Sequence, residues 1–102
     1  MITIVAQLQA APGKEDELKA VLTDMVEKVR ANESGAVVAY SLHTSDKEPG
    51  TFLFYEQYRD ADALAAHGTT DHMKAMNEQL RGKELLGGRP SITRYTQIAG
   101  IS

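Results

Sequence analysis

Residues 52–73 read FLFYEQYRDADALAAHGTTDHM, and the fold follows from how this stretch divides. It opens as an aromatic-rich strand, turns at Arg59 and Asp60, continues as a short alanine-rich helix ending near His67, and restarts after Thr69 and Thr70. Asp60 is suited to capping the first of these helices, Gly68 interrupts it, and Thr69 or Thr70 can cap the next. Glu56, Tyr55, Tyr58, His67 and His72 all fall within the stretch, which makes it the candidate site for acid–base chemistry.

Upstream, residues 51–58 (TFLFYEQY) come after a second apolar strand at residues 36–44 (AVVAYSLHT), with only the polar SDKEPG between them. That spacing predicts a hairpin. Earlier still, Leu18, Val21, Leu22, Met25, Val26 and Val29 recur at i, i+3, i+4, i+7, i+8 and i+11, the stripe of a long amphipathic helix. Glu15, Asp16 and Glu17 lie at its start, and Lys28 and Arg30 at its end, complementing the helix dipole. NESG, residues 32–35, closes it. Residues 2–9 (ITIVAQLQ) alternate as a first strand.

Downstream, Met73, Met76 and Leu80 mark a further helix. RGKELLGGRP reads as loop, with at most a turn or an edge at residues 84–86, and residues 91–99 (SITRYTQIA) form the last strand. The order β–α–β–β–α–β is the split βαβ of an α+β, ferredoxin-like fold: a four-stranded antiparallel sheet with its helices on one face. Strand phases put Glu56 with Phe52, Phe54 and Tyr58 under the helices, and Val5, Val38, Tyr40, Leu42, Leu53, Tyr55 and Tyr95 on the bare face. An apolar area of that extent predicts a homodimer through the open sheet face.

With 102 residues, the chain has room for a single domain spanning 1–102. The net charge of −3 and the scattered basic residues argue against nucleic acid. No apolar run reaches the ~20 residues of a membrane helix, and the start lacks the pattern of a secretory signal, so the expected location is cytoplasmic. The absence of cysteine excludes disulfides, thiolate nucleophiles and Cys-based metal sites.

Glu56 among aromatics should have a raised pKa unless paired; it can handle a proton or orient a histidine, or it can be a structural glutamate bonded to backbone. His67, near the buried edge of its helix, suits a general base, and equally a helix C-terminal histidine favoured by the dipole. His72 sits in a first helical turn, where the positive helix end keeps imidazole neutral; it can bind substrate or simply pack. His43, at a strand end, reads as surface. Tyr40, Tyr55 and Tyr58 can donate to an oxyanion, although strand aromatics more often form core or interface. Met73 can form an adaptable wall for a flat substrate. The five-residue spacing of His67 and His72 is not the i, i+4 pair of a helical metal site, so no metal is expected.

The same residues resemble the antibiotic biosynthesis monooxygenase superfamily of dimeric α/β barrels. Phe54, Glu56 and Tyr58 match on the strand, followed by Asp60, Asp62, Leu64, His67, Thr70, His72 and Met73, with Pro12-Gly13, Gly35 and Tyr40 in support. The resemblance implies a pocket between sheet and helices in each subunit. It also implies oxidation of a small phenolic, quinol or anthrone-like substrate by molecular oxygen without flavin, metal or haem. His67 and Glu56 would then be catalytic, and Tyr58, His72, Phe54, Tyr40 and Met73 would contact substrate. Other members isomerise small metabolites, including a phosphorylated signal, which would require basic groups such as Arg59 or Arg94 at the pocket mouth. A non-catalytic ligand-binding dimer is a third possibility. Haem degradation is disfavoured: the positions for its asparagine, tryptophan and haem-ligating histidine hold Gln7, His67 and Asn77.

Overall fold

Strand β1 (Ile2–Gln9) lies inside a four-stranded antiparallel sheet of order β2-β3-β1-β4 in the computed structural model, which describes residues 1–101. Its alternation is the reason for that place: Ile2, Ile4, Ala6 and Leu8 are buried, while Gln7 and Gln9 are exposed. It pairs with β3 (Thr51–Tyr58) on one side and with β4 (Ser91–Thr96) on the other. β2 (Val37–Thr44) completes the hairpin with β3.

Three helices cross one face. α1 (Glu15–Asn32) directs Leu18, Leu22 and Met25 into the core, the two leucines with no exposed surface. Each such side chain stabilises the fold by about 1.5–3 kcal/mol relative to exposure. The second helical region is two elements, α2 (Ala61–Gly68) and α3 (Asp71–Gly82). Asp60 caps α2 by accepting from Ala63 N–H, and Thr70 caps α3 by accepting from Met73 N–H. Thr70, whose hydroxyl also donates to His67 O, stands at the turn between the helices and holds the end of α2 against the start of α3. The glycine-rich stretch after α3 is docked rather than free: Leu85 is fully buried, and Leu86 bridges Ala10.

Simple alternation fails in β2. The register shifts between Val37 and Ala39, so that Val37 faces Tyr58 while Tyr40 faces Glu56 and Leu42 faces Phe54. A bulge inserts an extra residue and reverses the phase of the strand beyond it. Tyr40 and Leu42, expected on the bare face, therefore pack toward the helices. The bare face carries Val5, Leu53, Tyr55 and Tyr95, in register with polar neighbours including Gln57, whose amide donates to Thr3 Oγ1 and Gln97 Oε1. Strand β4 also ends at Thr96, short of Ala99.

Candidate active site

The turn leaving α1 is the first element of the site. Glu33 is the helix C-cap: its N–H bonds Val29 O, and its own carbonyl accepts from Ala36 and Val37 N–H. Gly35, at φ +95°, supplies the left-handed residue this reversal requires. The Glu33 backbone is thus held at both ends, and its side chain, 8% exposed, points inward.

Two histidines meet that carboxylate. His67, near the end of α2, has Nδ1 3.0 Å from both Glu33 oxygens. His72, in the first turn of α3, has Nε2 2.5 Å from Glu33 Oε2. The turn between α2 and α3 makes this convergence possible, with the two rings approaching one carboxylate from separate helices.

His67 is 3% exposed, and its Nε2 has no hydrogen-bond partner among the described residues. The ring stands 5.4 Å from Tyr40 and 5.3 Å from Tyr58, centroid to centroid, and lines a cavity of about 300 Å³. Apolar side chains dominate the lining. Ile4, Ala6 and Leu8 come from β1, Phe54 and Glu56 from β3, Leu64 from α2, and Met73, Met76 and Leu80 from α3, with Ile92 of β4 at one side. Asn77 contributes the amide. Neither Arg59 nor Arg94 lines the cavity, and no other Lys or Arg among the described residues does.

Glu56 is buried and accepts from the Tyr58 hydroxyl at 2.5 Å. Burial raises its pKa to about 7, the Tyr58 hydrogen bond opposing the rise and the Glu33 charge adding to it. Tyr58 and Tyr40 are pushed up, first by burial and then by the neighbouring carboxylates, so both remain hydroxyl donors near neutrality. His67 is pushed below its ordinary value by burial, with Glu33 working against that shift. Burial thus favours the neutral form of the ring, the form a base requires.

Of the residues singled out from sequence, His67, Glu56, Phe54, Tyr40 and Met73 line the cavity. Tyr58, with no exposed surface, stands behind it as the partner of Glu56. His72 lies on the far side of Glu33, where it lines a separate groove between α1 and α3. His43 is exposed and bonds Ser41. Sequence reasoning missed Glu33, reading it as part of a closing turn. The signal was present: an acid at a helix C-terminus opposes the dipole and calls for a compensating partner. Among the described residues no group of three or more His, Asp or Glu is placed to hold a metal ion.

Residues 1–79 match the sequence model for antibiotic biosynthesis monooxygenases. The chain belongs to this family. The Bacillus subtilis (strain 168) protein named "Putative monooxygenase YcnE" is 30% identical over 92% of this chain and 95% of its own length. A crystal structure described as a "putative antibiotic biosynthesis monooxygenase" from Caulobacter crescentus CB15 is 34% identical, covering 96% of this chain and 90% of that one, with a TM-score of 0.85. Rv0793 from Mycobacterium tuberculosis superposes with a TM-score of 0.87 at 25% identity, over 99% of this chain and 98% of its own. The ferredoxin-like sheet and its helices are therefore the family's fold.

Proposed function

We propose that the protein is a cofactor-independent monooxygenase for a small, uncharged phenolic, quinol or anthrone-like substrate, with His67 Nε2 as the base. The observation that carries this reading is the unpartnered, buried Nε2 of a neutral imidazole beside an apolar cavity. The lack of any cation among the described residues of the lining favours a neutral substrate over a phosphorylated one. His67 removes the substrate proton, and the electron-rich anion reacts with dioxygen. The substrate loses four electrons and dioxygen gains four, one oxygen atom entering the product and the other leaving as water, so no external reductant is required. Glu56, Tyr40, Phe54 and Met73 form the wall against which the ring lies. His72 and Tyr58 act behind that wall, through Glu33 and Glu56 respectively.

Oxygen uptake by metal-free protein with a panel of quinols and anthrones tests the reading. One equivalent of oxygen per product is expected, and turnover that continues unchanged without oxygen would sink it. A second reading is an isomerase, supported by Glu56 with its pKa at about 7, an acid able to return the proton to another carbon. Its mark would be solvent deuterium entering the substrate without oxygen uptake.

We further propose a homodimer through the bare sheet face. Val5, Leu53, Tyr55 and Tyr95 on that face support it, Tyr55 and Tyr95 being 37% and 54% exposed. Sedimentation as a monomer at micromolar concentration would rule it out.

A further inference from the structure

The Glu33 carboxylate does not line the cavity, yet it touches the one residue there whose protonation state decides the chemistry. An ionised carboxylate can only accept hydrogen bonds, so the His67 nitrogen facing it must donate. A neutral imidazole has a single N–H. With that proton on Nδ1, Nε2 is a lone pair. The opposite tautomer would bury an unpartnered Nε2–H and set the Nδ1 lone pair against two carboxylate oxygens at 3.0 Å, an arrangement unfavourable on both sides of the ring.

We propose that Glu33 is a positioning residue: clamped by His72 at the end of α1, it holds the proton of neutral His67 on Nδ1 and so presents Nε2 to the substrate as the bare base. This rests on the reading of His67 as the base. The placement has the features of a built device. Glu33 stands at the negative end of α1, where a carboxylate is disfavoured, and two imidazole N–H groups compensate for it. The His72 contact on Oε2 opposes rotation of the carboxylate away from His67. The other titratable groups facing the pair are Tyr40 from β2 and Glu56 and Tyr58 from β3.

The test is ¹⁵N NMR of His67 in the full chain, wild type against Glu33→Ala and Glu33→Gln, with steady-state kinetics alongside. The wild type should show the Nδ1–H form. Glu33→Ala should shift the ring toward the Nε2–H form and lower kcat about a hundredfold with KM little changed. Glu33→Gln keeps an acceptor but removes the charge. It should retain Nδ1–H, lower the His67 titration midpoint, and recover part of the lost kcat. An unchanged tautomer in Glu33→Ala overturns the proposal, as does an unchanged midpoint in Glu33→Gln, which also decides the matter should the alanine variant fail to fold. His72→Gln, which can still donate, should preserve the wild-type tautomer, and His72→Phe should loosen it; equal behaviour of the two would remove the clamp from the proposal. If the wild type oxidises nothing in the panel, the monooxygenase reading fails while the NMR still decides the role of Glu33.

Discussion

The two faces of the sheet are built from alternate residues of the same strands and have opposite characters. On β3, Phe54, Glu56 and Tyr58 point beneath the helices and are buried, while Leu53 and Tyr55 point the other way and remain partly open. The helix-covered face places ionisable groups in an apolar setting and couples them in pairs, Glu56 with Tyr58 and Glu33 with His67. Among the described residues the open face couples no buried ionisable groups: apolar side chains share it with a neutral amide network through Gln57 and an exposed Ser41–His43 contact. Helices cover the first face incompletely, leaving a cavity; the second has no cover of its own. The proposed chemistry therefore sits on the first face, and the proposed association on the second.

Substitutions on each face should separate these roles. On the covered face, His67→Ala should reduce kcat by about 10²–10⁴-fold, the usual worth of a general base, with sedimentation unchanged. A combined loss of activity and dimer would break the separation. On the open face, Leu53→Asp or Tyr55→Asp sets a charge into the proposed interface and should shift the sedimentation coefficient from dimer to monomer. Tyr58→Phe removes the hydroxyl partner of a buried carboxyl and should cost about 1–3 kcal/mol in denaturant unfolding, with a further rise in the Glu56 pKa.

A further effect concerns pH. Burial disfavours ionised Glu56, so the folded state holds its proton up to about pH 7 where the unfolded chain releases it near 4.5. Its contribution to stability is complete below 4.5 and is lost as pH rises through about 7. His67 acts in the opposite sense: its folded pKa is lowered, so stability falls as pH drops below its unfolded value near 6.5. Glu56→Gln should flatten the alkaline-going decline between about 4.5 and about 7 and leave the acid-side loss in place. An unchanged pH–stability curve would show that Glu56 is not buried as described.

Much of this organisation was legible in the chain itself. The apolar stripe from Leu18 to Val29, the alternation of residues 2–9 and the break from Asp60 to Thr70 are local patterns with local causes: helical period, strand period and capping. They determined the element order, the split βαβ topology and the burial of Glu56, because each depends on near neighbours. The face of Tyr40 was not legible, since the bulge after Val37 reversed the phase and a bulge depends on how two strands settle against each other.

The fold and the concentration of titratable groups between residues 54 and 72 can be read from the chain alone. It takes the packing of helix ends to show that Glu33, 34 residues before His67, is the carboxylate that holds it, and that His72 stands behind this carboxylate rather than in the cavity. The physical reason is that a buried charge is satisfied by whatever donors the packing of helix ends brings to it. No periodicity in the chain encodes which ends will meet.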